Sequence, residues 1–247
     1  MNNIKLEYII NKKLRSDTIE DYTFNGLQIE GKKNINKIVT GVTACQKLLN
    51  VAVKKKADAI IVHHGYFWKN ESKVVRGIKR NRFKTILSNN INLYAWHLPL
   101  DLHPKLGNNY QLAKILEINI KNVLDNFLFV GNLKERTNRF IFKKRIEKIF
   151  KKKIIYFHYN KKKKIKNVAL CTGAGQNLLN KIDEKKIDTF ITGEVGEQTM
   201  HLSKEKKINF YSLGHHDTEI WGILSLSNWL KKKLKIDVEF VNIKNPF

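Results

Sequence analysis

Hydrophobic and polar positions follow one plan that occurs twice along the chain. From Lys37, "KIVTGV" is a short apolar run ended by small residues, "CQKLLNVAVKKK" spaces its apolar residues as a helix does, and "ADAIIVHH" is a second apolar run. From Asn167 the same plan returns as "NVALCT", "GQNLLNKIDEKK" and "IDTFITGE". The two segments align without a gap at a constant offset of 130 residues, set by Ala44 against Ala174. Gln46 then meets Gln176, Leu48-Leu49-Asn50 meets Leu178-Leu179-Asn180, Asp58 meets Asp188, and Ile61 meets Ile191. "INLYAWH" and "INFYSLGH" are a third matched strand, each followed by a helix and a last strand, "NFLFVGNL" and "DVEFVNI". Each copy opens with a helix (residues 3–14 and 137–150) and a strand (26–30 and 153–158). Strands alternating with helices predict an α/β fold of two similar lobes with mostly parallel sheets, residues 1–131 and 132–247.

Ligands of open α/β sheets gather outside the carboxyl ends of the strands, so the polar residues there are the place to look for chemistry. The second strand of the first copy ends on His63-His64, and the aligned residues of the second copy are Gly193-Glu194. After the third strands, "WHLPLD" and "GHHDTE" set His97 against His215 and Asp101 against Glu219, so both read His-x-x-x-carboxylate. Imidazole nitrogen with carboxylate oxygen is a donor set for zinc, iron, manganese or magnesium. An i, i+4 pair on a starting helix puts both groups on one face, and a carboxylate can bridge two ions. One histidine at a strand end is usually structural. Four histidines and three carboxylates at equivalent ends of two related copies predict a metal site. Adjacent strand residues face opposite ways, so the strand should bend or end at His63, with Gly65 following, if both imidazoles are to meet metal.

Other positions read more plainly. Gly173-Ala174-Gly175 sits between a strand and a helix, where phosphate can bind, but it lacks a full glycine motif and reads as a tight turn. Cys45 reads as a packing residue, His158 as structural, and Asn25-Gly26 as a turn before a strand. His103 and His216 stand beside the ligand sets as candidate supporting partners, and His201 is either near the site or exposed on a helix.

Bulk composition narrows the class. A hydrophobic fraction of 42% and an aromatic fraction of 10% belong to a folded chain. No apolar run approaches the roughly 20 residues that span a bilayer, so no membrane partner is expected. "MNNIKLEYIINKKL" reads as an amphipathic helix without a signal peptide's apolar stretch, and Cys45 and Cys171 alone make no disulfide framework or cysteine zinc site. A cytoplasmic protein is expected. The formal charge of +25 suggests a polyanion such as DNA, but lysine runs such as Lys161 to Lys164 supply most of it, and solvated faces explain them better than a binding stripe.

With "NGLQIEG", "GVTACQ", "IIVHHGYFW", "WHLPLDLHPKLGNN", "TGEVGEQTMH" and "GHHDTE" in one order, the whole chain resembles the Nif-three-like family. Specifically, it resembles the short bacterial YbgI-type members, catalogued as type-2 GTP cyclohydrolase I homologues. That resemblance implies paired α/β lobes flanking a dinuclear metal centre, with two divalent ions per subunit. By position its ligands are His63, His64, Asp101, His215 and Glu219, with His97 and Glu194 as catalytic groups for water activation or as support for the ligands. It further implies a toroidal homohexamer and a metal-dependent hydrolase acting on a nucleotide or other small molecule, opening the imidazole ring of GTP at C8. A non-enzymatic metal-handling protein and a nucleic-acid-associated ring are the alternative functions. The chain departs from the family chiefly between residues 127 and 166, where "KKRIEKIFKKKIIYFHYNKKKK" is unusually rich in lysine.

Overall fold

A computed structural model describes residues 1–247. The strands are β1 (Gly26–Ile29), β2 (Lys37–Thr43), β3 (Ala59–His64), β4 (Asn92–Ala95), β5 (Ile118–Leu124), β6 (Leu128–Asn138), β7 (Ile155–His158), β8 (Lys164–Cys171), β9 (Thr189–Thr192), β10 (Asn209–Ser212) and β11 (Asp237–Phe240). The helices are α1 (Asn3–Leu14), α2 (Gln46–Lys54), α3 (Gly77–Ser88), α4 (Leu98–Leu102), α5 (Asn108–Ile115), α6 (Arg139–Phe150), α7 (Glu197–Glu205) and α8 (His215–Leu234). No helix is long and apolar enough to cross a membrane.

The fold is mixed α/β with two sheets. One compact unit comprises Met1–Gly107 with Gly222–Lys244, the other Asn108–Trp221 with Asn245–Phe247. In the first, the sheet order is β1-β4-β3-β2-β11, parallel throughout except for β1. In the second, the order is β5-β6-β8-β9-β10-β7, with β8, β9 and β10 parallel and the other pairings antiparallel. β4, β9 and β10 are buried at every position, as strands covered on both faces are, with apolar centres flanked by buried polar residues such as Asn92, Thr189 and Asn209. Ile60, Val62, Leu93 and Leu48 pack one core, and Phe190, Phe210, Ala169 and Leu179 the other.

The units are not the two uninterrupted halves that a single cut near residue 131 gives, because the last strand of each repeat pairs in the other repeat's sheet. "NFLFVGNL" lies in β6 and pairs with β8, while "DVEFVNI" contains β11, which pairs with β2. β11 is held in register by Lys37 to Asp237 at 2.9 Å and Lys55 to Glu239 at 2.8 Å, with Val238 buried between.

The aligned aspartates explain part of the repeat. Asp58 accepts from the backbone N–H groups of Asn36 (2.9 Å) and Lys37 (3.1 Å), and Asp188 accepts from those of Lys166 and Asn167 (both 3.0 Å). Asp58 thus braces the chain entering β2, and Asp188 the backbone within β8. The repeat fails elsewhere: "GQNLLNKIDEKK" forms only a 3-10 turn, Gln176–Lys181, where its counterpart forms α2. Asp183 accepts from the Lys185 N–H at 3.0 Å, a local bond that competes with continuing the helix.

Candidate metal centre

In the first unit the histidines collect at the carboxyl ends of β3 and β4. β3 runs through His64, whose carbonyl accepts from Ala44 N–H at 2.9 Å, so the strand ends one residue later than the paired imidazoles suggested. The rings of His63 and His64 nonetheless lie 4.4 Å apart between centroids, tilted by 44°. His97, at the N-cap of α4, sits 5.1 Å from His63 and 5.7 Å from His64. One ring nitrogen from each of the three lies within 4.8 Å of the others, a spacing that one ion can span.

Each ring is held by Nδ1. His63 Nδ1 meets the Trp96 carbonyl at 3.0 Å, His97 Nδ1 meets Asp21 Oδ1 at 3.0 Å, and His64 Nδ1 meets Thr43 Oγ1 at 3.3 Å. A carbonyl and a carboxylate only accept, so His63 and His97 carry their proton on Nδ1 and present Nε2 as the donor atom for a metal. His63 Nε2 faces Asp101 Oδ1 at 3.5 Å, two acceptors turned toward one another. That arrangement needs a second proton or a cation, and the residues fit a metal on this ground. Trp68 and Tyr22 stand edge-on to His97, with centroids 5.1 and 5.0 Å away, and wall this side of the cluster.

The His-x-x-x-carboxylate pattern behaves differently in the two copies. His97 does not turn to Asp101 but to Asp21, whose carboxylate is buried in the loop before β1. Asp21 also accepts from Asn25 Nδ2 (2.9 Å), Leu98 N–H (2.8 Å) and Tyr22 N–H (2.7 Å), while Asn25 Oδ1 accepts from His97 N–H (2.7 Å). Burial opposes ionisation of Asp21, but the bonds from His97, Asn25 and Leu98 outweigh it and hold the carboxyl below its usual range. Asn25 is therefore part of the site's scaffold as well as a turn residue. Asp21 was missed in the sequence, since it lies in a loop with no periodicity and no counterpart in the second copy.

In the second unit His215 opens α8 directly after β10. Its Nε2 faces Glu219 Oε2 at 3.1 Å one turn along the helix, and its Nδ1 meets Glu194 Oε1 at 2.6 Å, beyond the end of β9. Burial disfavours the imidazolium, but the two carboxylates override it and raise the ring to about 9. With Nδ1 bonded to Glu194, the Nε2–Glu219 pair again calls for a second proton or a cation. Gly173 makes room for it: its φ is +64°, and a Cβ there would overlap Glu219 Oε1. The Gly173 and Gly175 N–H groups go to Thr218 Oγ1 (3.0 Å) and Thr192 Oγ1 (3.1 Å), so this segment is the tight turn its sequence suggested.

The remaining histidines serve elsewhere or locally. His103 is buried, and its Nδ1 accepts from the N–H groups of Lys105 (3.0 Å) and Leu106 (2.9 Å) in a turn. His201 is exposed on α7 beside Glu197. His216 is buried, with its backbone N–H on the Phe247 carbonyl at 2.9 Å. His158 bonds Tyr211 Oη at 2.9 Å, and Cys45 is the N-cap residue of α2.

The chain resembles known proteins over its full length. The chain is 55% identical over 246 residues, covering both chains in full, to a protein of Buchnera aphidicola subsp. Schizaphis graminum named "GTP cyclohydrolase 1 type 2 homolog". It superposes on the structure titled "Structural genomics, protein ybgI, unknown function" with a TM-score of 0.98 at 49% identity, and on TTHA1606 from Thermus thermophilus with a TM-score of 0.91 at 29% identity, each over 100% of both chains. The Duf34/NIF3 (NGG1p interacting factor 3) family pattern matches residues 1–246, and the chain belongs to that family.

Proposed function

We propose that the protein is a metal-dependent hydrolase holding two divalent ions per subunit and acting on a nucleotide-type substrate. His63, His64, Asp101, His215 and Glu219 are the proposed ligands. The observation that carries the reading is the anchoring of the imidazoles through Nδ1, which leaves Nε2 to face Asp101 in one group and Glu219 in the other. Bound divalent ions supply a water of lowered pKa and polarise the atom under attack. Asp21 fixes the tautomer of His97, so its Nε2 is the proposed proton acceptor. Glu194 fixes the ring of His215 and, 41% exposed at its side chain, is also placed to pass a proton to solvent. The names of the relatives favour GTP as substrate, with water adding at C8 of the imidazole ring, and the family likeness favours a toroidal homohexamer in the cytoplasm.

Metal analysis of the purified protein, followed by a panel of nucleotides and phosphoesters, tests this reading. Turnover should require the metal and fall by about a hundredfold or more in His63→Ala and Glu219→Ala. Turnover unchanged in both variants sinks it, and stoichiometric exchangeable metal without turnover favours the metal-handling alternative. Light scattering tests the hexamer.

A polyanion-binding role has one observation in its favour. An open depression of about 750 Å³ in the second unit is lined by Lys114, Lys121, Lys134 and Lys166 with Glu117 as its one acid. DNA affinity falling steeply with salt, and surviving His63→Ala, would support that role.

A further inference from the structure

A second cavity adjoins His215. It lies where β9 and β10 end and holds about 510 Å³, within the usual size of a small-molecule site. It is lined by Glu194 and His215, by Lys152 and Lys153, and by the apolar Ile155 and Phe247. Strand pairing explains the meeting: β7 runs antiparallel to β10 with Ile155 opposite Ser212, so the lysines preceding β7 arrive at the same sheet edge as His215. That edge is where α/β sheets present ligand sites. Lys152 is paired with Asp217, which holds its ammonium in place before any ligand arrives. Lys153 is 91% exposed at its side chain, with only a 3.8 Å approach to Glu147, so it is weakly committed.

We propose that this cleft is the substrate pocket of the hydrolase, taking a heterocyclic phosphate with its phosphoryl groups on Lys152 and Lys153 and its ring on Ile155 and Phe247. The assignment rests on the metal-hydrolase reading for its role and on the cavity for its chemistry. An ammonium is a compact point charge suited to phosphoryl oxygen, and the exposed Phe247 ring offers a stacking face to a planar base. Glu194, proposed to pass a proton, and His215, a proposed metal ligand, line the same cleft.

Calorimetric titration of the purified protein with GTP, guanosine and inorganic pyrophosphate tests the pocket without requiring turnover. Lys152→Ala/Lys153→Ala should weaken GTP and pyrophosphate at least tenfold and guanosine less than threefold, and Lys152→Arg/Lys153→Arg should recover most of the loss. Ile155→Trp, which fills the cleft while leaving both lysines, should weaken GTP and guanosine together. GTP binding unchanged in the double alanine variant and in Ile155→Trp, or no phosphate compound binding the wild type, overturns the inference. Weakened binding in the variants with no hydrolysis by the wild type upholds the pocket and sinks only the hydrolase reading. Pyrophosphate binding as tightly as GTP, unaffected by Ile155→Trp, overturns the assignment of the ring.

Discussion

The carboxylate of Asp21 accepts a hydrogen bond from the Nδ1–H of His97 at 3.0 Å and also accepts from the backbone N–H groups of Leu98 and Tyr22. In the second unit Glu194 does the same for His215 at 2.6 Å. A carboxylate behind a histidine fixes the ring and makes Nε2 more basic, whether that nitrogen holds a metal, as in His215, or takes a proton, as in His97. Asp21→Ala should therefore lower turnover about 10- to 100-fold with the fold intact by circular dichroism. Steady-state kinetics measure it, and a rate equal to the wild type would remove Asp21 from the site.

Gly173 is required by both its backbone and its lack of a side chain. Gly173→Ala should cost about 1–3 kcal/mol in denaturant unfolding, since a left-handed backbone and an overlap with Glu219 must both be accommodated. Metal affinity should fall as well, because Glu219 is the group displaced. A variant as stable as wild type with full metal affinity contradicts the close approach.

His158 makes stability depend on pH. Burial, with the charges of Arg139 and Lys143 adding to it, depresses its ring from 6.5 to about 4. Between those values the unfolded chain binds the extra proton and the folded chain does not, so stability is fully present above about pH 6.5 and declines as pH falls toward 4. Thermal melts of wild type and His158→Gln across this window should converge at the acid end, the variant having the shallower slope. Parallel slopes would refute the assignment.

Asp58 holds two backbone N–H groups at the entry to β2, and Asp188 two within β8. Asp188→Ala should destabilise by about 1–3 kcal/mol, the cost of leaving such groups unpaired. Urea unfolding measures it, and Asp188→Asn, which keeps an acceptor, should recover part of the loss.

The internal repeat made the strands and helices readable, because buried parallel strands are mostly apolar and their ends are marked by polar residues. The same alignment located His63, His64, His97, Asp101, Glu194, His215 and Glu219, which the structure places at strand ends or on the helices that follow. Less was legible where pairing depends on residues far apart. β5, an edge strand of mixed polarity, carries little apolar signal, and α3 has a single buried residue, Ile86. Asp21 acts through tertiary contact alone, and the i, i+4 spacing of His97 and Asp101 did not reveal that each would find another partner.

Because β11 comes from residues 237–240 and completes a sheet whose other strands lie within the first 95 residues, β2 has no neighbour on its outer side through most of synthesis. The nascent chain therefore carries an unprotected, hydrogen-bonding strand edge until residue 240 has been made. Truncations that remove β11 should leave a sticky edge rather than a smaller independent domain, and a chaperone acting on this protein would have most to do just before that strand arrives.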